Sequence, residues 1–185
     1  MRTGPVARNY AEALLALGER HDAVVRYGGL LEAVAGAVAT EPRLAAVLES
    51  PRVPKARKKL ILRTALGALA PEPFVRFLES VVQRGRQGIL SAMSVEYEML
   101  VDRHLNRVHA GVTTAHEVDP ELARAIAASL SAMVGKEVLP HFRTDPRLLG
   151  GLIVRVGDRV LDGSLRRRLL QLRFTMLHAR TGGGA

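Results

Sequence analysis

The sequence predicts a mainly α-helical protein, with an N-terminal six-helix bundle over residues 1–106 followed by a small C-terminal α+β domain over 107–180. Three observations carry that expectation. Apolar residues recur three and four apart almost without a break from residue 5 to residue 106. Near residue 107 the pattern loosens into alternation around Val112-Thr113-Thr114, as in a strand. Aromatic residues make up only 4% of the 185 residues, with no Trp, so the cores must rest on Leu, Val, Ile and Ala.

The elements follow in chain order. Val6, Tyr10, Leu14 and Leu17 define a first amphipathic helix. Val24, Tyr27, Leu31, Val34 and Val38 form a narrow seam on a second. Thr40 is the expected cap of a third helix, with Pro42 in its first turn and Leu44, Val47 and Leu48 as its apolar side, ending at Ser50-Pro51. A basic helix follows, with Leu60, Ile61, Ala65 and Leu66 as its apolar positions. Pro71-Glu72-Pro73 starts a fifth helix bearing Phe74, Phe77, Leu78, Val81 and Val82, closed by Gly85 and Gly88. A sixth carries Leu90, Met93, Tyr97, Leu100, Val101 and Leu105.

The second region begins with a strand expected over Val108–Val118. Asp119-Pro120-Glu121 opens a helix to about Val134, combining a capping carboxylate, Pro at the first helical position and an acid near the positive helix end. Val138–Arg143 reads as a strand that Pro140 confines to an edge or a bulge. Leu152–Val156 and Arg159–Leu161 read as a hairpin about Gly157-Asp158. Asp162-Gly163 turns the chain and Ser164 caps a final helix through about Ala179. Thr181–Ala185 reads as a disordered Gly-rich tail.

Composition narrows the function. There is no Cys, which excludes disulfides, thiolate metal sites and a Cys nucleophile. The sequence shows no closely spaced His ligand pair, no Walker loop and no G-x-S-x-G elbow. An enzyme is therefore the less favoured class, and no cofactor or metal is expected. No apolar stretch approaches the roughly 18 residues that span a bilayer. The net charge of +9 raises nucleic acid as an alternative partner. Two features support that alternative: the basic run Lys55–Lys59, and Gly85-Arg86-Gln87-Gly88, which matches the backbone clamp of KH domains. Against it, the charge is spread along the chain, and helical patterns flank the Gly pair on both sides. The basic run reads as an exposed helix face with Leu60 and Ile61 turned inward.

The most specific segment runs from Gly150 to Leu172: Gly150-Gly151-Leu152-Ile153-Val154-Arg155-Val156-Gly157-Asp158-Arg159-Val160-Leu161-Asp162-Gly163-Ser164-Leu165, then Leu169 and Leu172. It closely resembles the signature of the ATP synthase delta subunit and oligomycin-sensitivity-conferring protein family. Val6-Ala7-Arg8, Tyr10-Ala11, Ala13 and Leu14 resemble the family's opening helix, and Gly85-Arg86 with Leu90 its join between the fifth and sixth helices. Read physically, Gly150, Gly151, Gly157, Asp158, Asp162, Gly163 and Ser164 are structural: they shape turns and a cap.

The resemblance implies a non-catalytic stator subunit of a bacterial F-type ATP synthase. It implies that the helical domain binds the N-terminal helix of an alpha subunit in a groove between its first and fifth helices. It implies that the C-terminal domain binds the C-terminal end of the b-subunit peripheral stalk. Tyr10, Ala13, Leu14, Phe77 and Val81 are the residues expected to line the groove. The implied location is the cytoplasmic face of the plasma membrane, reached only through the complex, and no nucleic acid is expected as a partner.

Overall fold

The computed structural model describes residues 3–179, with side chains described for 4–176. The protein is mainly helical and carries a small mixed sheet of four strands in its C-terminal part. It divides into two compact units between Leu105 and Asn106. The tail expected over Thr181–Ala185 lies outside the described residues.

The first unit contains α1 (Thr3–Arg20), α2 (Val24–Thr40), α3 (Pro42–Glu49), α4 (Lys55–Leu66), α5 (Glu72–Gln83) and α6 (Leu90–His104), with a 3-10 turn at Gln87–Ile89 before α6. Its core follows from helical spacing. Ala7, Ala11 and Leu14 bring one stripe of α1 inward, Tyr27, Leu31 and Val34 one stripe of α2, and Phe74, Leu78 and Val81 one stripe of α5. Met93 and Tyr97 meet them from α6.

Two buried tyrosines differ in their polar ends. The Tyr97 hydroxyl donates to the Val24 carbonyl oxygen at 2.9 Å and ties α6 to the start of α2. The Tyr27 ring packs on Phe74 at 5.4 Å, but its buried hydroxyl has no partner among the described residues. Burial raises both phenol pKa values. Opposite results follow from the same substitution. Tyr97→Phe leaves the Val24 carbonyl unpaired and should lower unfolding free energy by about 1 kcal/mol. Tyr27→Phe removes an unsatisfied hydroxyl and should be neutral or stabilising by up to about 1 kcal/mol. Urea unfolding of the two variants beside the wild type measures the difference. Equal losses in both would contradict it.

Three local expectations are corrected in this unit. Thr40 does not cap α3. It is the last residue of α2, and its hydroxyl donates back to the Gly36 carbonyl oxygen at 2.9 Å. Glu41 occupies the junction, with Pro42 at the start of α3. On α4, Leu60 is 57% exposed and Ala65 is exposed, whereas Leu62 and Lys58 are buried. The inward stripe is thus 58, 62 and 66, because a long Lys stem covers apolar surface as readily as a Leu does. The basic run is not wholly a solvated face: Lys58 is buried, while Lys55 is exposed and donates to the Gln83 carbonyl at 2.9 Å. Gly85-Arg86-Gln87-Gly88 is the turn between α5 and α6, with Gly85 at φ +67.

The second unit contains β1 (Arg107–Thr114), α7 (Pro120–Val134), β2 (Glu137–Thr144), β3 (Leu152–Val156), β4 (Arg159–Asp162) and α8 (Leu165–Ala179). The strand order is β2-β1-β3-β4. β1 and β2 run parallel, so the chain needs a crossover, and α7 supplies it. β3 and β4 are antiparallel neighbours joined at Gly157-Asp158. Pro140 stands on edge strand β2, opposite Ala110, where a missing N–H costs no bond to a further strand. Ala110, Val112, Val138 and Val154 form the buried sheet face, covered by Leu130 of α7. The α7 cap is as expected: Asp119 Oδ1 accepts from the backbone N–H groups of Glu121 and Leu122 at 3.0 and 2.8 Å. The first strand is shorter than expected. It ends at Thr114, whose hydroxyl donates to the His116 carbonyl at 2.8 Å as the chain leaves the sheet.

Candidate binding surfaces

The expected groove residues fall on two different stripes. On α1, Val6, Tyr10, Ala13 and Leu17 follow one another at helical spacing on the accessible side. Leu14 belongs to the next stripe and is fully buried. On α5, Pro73, Phe77 and Ser80 form the accessible stripe, whereas Val81 is 1% exposed and lies in the core. Leu14 and Val81 are therefore core residues and do not line an open groove. Each is one step around its helix from the surface stripe. Tyr10 and Phe77 do meet, edge to face, with ring centroids 6.4 Å apart. Beside them lies a hollow of about 600 Å³ between the two helices, lined by Leu17, His21, Pro73, Phe77 and Ser80 with Glu72 and Arg76 at its polar side. Leu17, Pro73 and Ser80 were not among the residues expected from sequence. Continuing the stripes through Tyr10 and Phe77 by three and four residues would have found them.

The rim of this hollow is charge-balanced. Glu72 Oε1 accepts from Arg63 at 2.7 Å and from Arg76 at 3.0 Å, and Arg63 also reaches Glu79 at 3.1 Å. What remains accessible is an apolar hollow of Leu17, Pro73 and Phe77 with His21 and Ser80, and Tyr10 and Ala13 stand outside its lining. Such a hollow suits the apolar face of a guest helix.

The Gly150–Ser164 segment is built as a double turn. Gly150 and Gly151 both have positive φ, +157 and +81. A Cβ on Gly151 would stand 2.4 Å from the Gly163 carbonyl oxygen and 3.1 Å from the Ser164 Cα. The two ends of the signature thus pass in backbone contact. The Gly163 N–H donates to the Leu152 carbonyl at 3.0 Å and locks the approach. Gly157 takes positive φ at the first position of the β3–β4 turn, with Asp158 second. The Ser164 side chain is buried and its hydroxyl accepts from the Arg167 N–H at 3.3 Å, capping α8. Asp162 Oδ1 accepts from the Ser164 N–H at 3.0 Å. Hydrogen bonding from the Ser164 side chain, and then from its N–H, holds the Asp162 carboxyl below its ordinary pKa. Its contribution to stability is therefore present above the ordinary carboxylate pKa and is lost as pH falls through the lowered value.

Among the described residues no three His, Asp or Glu side chains could hold a metal ion together. His104 pairs with Glu19 at 3.2 Å. His109 stacks on His141, with Nδ1 and Nε2 2.8 Å apart, a proximity that the separation of the two residues along the chain conceals. No helix of the described residues is long and apolar enough to cross a membrane.

The helical unit carries an open hollow between two helices, and the sheet unit is closed by a structural double turn. The family model for the ATP synthase delta (OSCP) subunit matches residues 6–176. The ATP synthase subunit delta of Gemmatimonas aurantiaca is 48% identical over 171 residues, covering 92% of each chain. That of Desulforamulus reducens is 33% identical over 177 residues, covering 96% of this chain and 98% of the relative. A chain of the Toxoplasma gondii mitochondrial ATP synthase hexamer shares the fold, with a TM-score of 0.57 at 21% identity, over 92% of this chain and 97% of that one. The chain belongs to the ATP synthase delta (OSCP) subunit family. Its role is that of a non-catalytic subunit on the stator side of the complex.

Proposed function

We propose that this chain links the catalytic head of a bacterial F-type ATP synthase to its peripheral stalk, so that proton-driven rotation is coupled to ATP synthesis. The helical unit works as one six-helix bundle seated on the head. Its trough between α1 and α5 receives the apolar face of the alpha subunit's N-terminal helix. Tyr10, Ala13 and Phe77 are the central contacts, extended by Leu17, Pro73 and Ser80. The sheet unit, acting as a separate module, takes the C-terminal end of the b stalk. The chain thereby sits at the cytoplasmic face of the plasma membrane and touches the membrane only through its partners.

The observation that carries this reading is the match of nearly the whole chain to delta subunits. The hollow between α1 and α5 supports it, because Leu17, Pro73 and Phe77 offer an apolar lining for a guest helix, with Tyr10 packed on Phe77 beside it. Reconstitution tests it. Membranes holding an ATP synthase stripped of its delta subunit should regain proton-coupled ATP synthesis when this chain is added with matching alpha and b subunits. ATP hydrolysis by the soluble head alone should not depend on it. Restored binding without restored coupling would contradict the stator role.

A further inference from the structure

The sheet of the second unit has two unlike faces. α7 packs over Ala110, Val112, Val138 and Val154. Strand alternation puts their neighbours on the opposite face: His109, Gly111 and Thr113 of β1, His141 and Arg143 of β2, Ile153 and Arg155 of β3. The register sets His141, Gly111 and Arg155 in one row across the sheet, and Arg143, Thr113 and Ile153 in the next. Gly111, at the middle of its row, is exposed, and a Cβ there would meet open space. The bare backbone leaves a hollow of about 410 Å³ whose lining includes Gly111, Thr113, His141, Arg143, Ile153 and Arg155.

The charge in this hollow is of one sign. Arg143 and Arg155 are exposed, and among the described residues neither forms an ion pair. No acidic residue lines the hollow. Two acids on the same sheet face are engaged elsewhere: Glu137 with Arg107 at 2.6 Å, and Asp162 with the Ser164 N–H at 3.0 Å. His141 is held in place by His109, with Nε2 2.8 Å from the His109 Nδ1 and the rings stacked at 5.0 Å. When the His109 Nδ1–H donates in that bond, the His141 Nδ1–H remains as a donor.

We propose that this hollow binds a diphosphate group. Guanidinium forks match phosphate oxygens in pairs and stay charged at any physiological pH. Arg143 and Arg155 stand on strands with β1 between them, so roughly 10 Å separates the two strand axes. Arms reaching in from that separation suit two linked phosphates better than one. The Thr113 hydroxyl and the His141 ring supply donors between the arginines, and the bare Gly111 lets the anion approach the backbone. The site lies apart from the α1–α5 trough and does not depend on the stator role. A dissolved diphosphate and a phospholipid surface share this chemistry, and the test separates them.

The full chain, labelled with nitrogen-15, is titrated with pyrophosphate and with orthophosphate at constant ionic strength. Pyrophosphate should shift the Gly111, Thr113 and Arg155 amides along one saturating curve and bind at least about tenfold more tightly than orthophosphate. Arg143→Gln and Arg155→Gln should each weaken that binding by about tenfold or more. Arg43→Gln removes the same charge from an exposed site on the helical unit and should change it by less than about twofold. Gly111→Glu should abolish binding at an unchanged melting temperature, because its side chain enters open space. Sedimentation with phosphatidylglycerol vesicles is measured in parallel. If it occurs, fails with phosphatidylcholine and is lost in both Arg variants of the hollow, the phosphates belong to a lipid surface. Saturable pyrophosphate binding without sedimentation assigns a dissolved diphosphate. Equal effects of the three Arg→Gln changes would overturn the proposal. So would the absence of any preference for pyrophosphate, or shifts that spread to Lys55–Lys59 without saturating.

Discussion

Val81→Asp is expected to unfold the helical unit. Val81 is 1% exposed and belongs to the α5 stripe that packs with Phe74 and Leu78 against the core. An aspartate there loses the valine's burial and adds an unpaired carboxylate, a combined cost on the order of 4 kcal/mol or more. Whole domains are stable by only about 5–15 kcal/mol, so most of the margin disappears. Thermal unfolding followed at the helical signal should show a transition lowered by tens of degrees, or none. Ala13→Asp is the control, since Ala13 is exposed on α1 and its substitution should leave the transition nearly in place. A Val81→Asp protein that melts like the wild type would show that α5 is turned about its axis relative to this description.

Gly151→Ala should be the most damaging single-methyl change in the sheet unit. Two costs combine. At φ +81 an L-residue is strained by roughly 1–2 kcal/mol. The new Cβ also meets the Gly163 carbonyl oxygen at 2.4 Å, and that atom is backbone held by its neighbours. Relief requires the β3 end and the start of α8 to move apart, breaking the 3.0 Å bond from the Gly163 N–H to the Leu152 carbonyl and loosening the Ser164 cap. A total loss of about 3 kcal/mol or more is expected. Hydrogen exchange should quicken first at the Gly163 and Arg167 amides. Gly157→Ala is the comparison: its φ of +56 is strained too, but a Cβ there meets open space. If both variants lost the same stability, backbone contact would not be what fixes the signature.

The sequence revealed element type far better than element face. Periodicity located the helices and the change to a sheet, because a core stripe repeats along each helix and a strand alternates. Local turn chemistry was equally legible. Asp119, Gly157, Asp162 and Ser164 act on backbone within a few residues, so nothing distant can override them. What periodicity left undecided was which of two adjacent stripes faces inward. Tyr10 and Leu14 lie four residues apart on the same side of α1, yet Leu14 is buried and Tyr10 is only partly so. That boundary is set by where α5 and α6 pack, which no local pattern records. The same reason misplaced Leu60 and Lys58, since hydropathy ranks them one way and helix geometry the other. Thr40 was misread because a hydroxyl ending one helix can bond backwards as well as cap forwards. The contact between Gly151 and Gly163 left no mark in the local pattern. Its cause is tertiary.

The central claim is that the trough between α1 and α5 holds the alpha subunit's N-terminal helix. Titration of that peptide into the wild type and into Ala13→Asp tests it most directly, with melting curves recorded for both. Ala13 stands on the accessible stripe with Tyr10 and Leu17, so its aspartate is solvated in the free protein and desolvated only beneath the guest. Burying that charge costs several kcal/mol, and each 1.4 kcal/mol is about tenfold in affinity. The account predicts peptide binding weakened by more than about a hundredfold at an unchanged melting temperature. A folded Ala13→Asp protein that binds the peptide as the wild type does would contradict it.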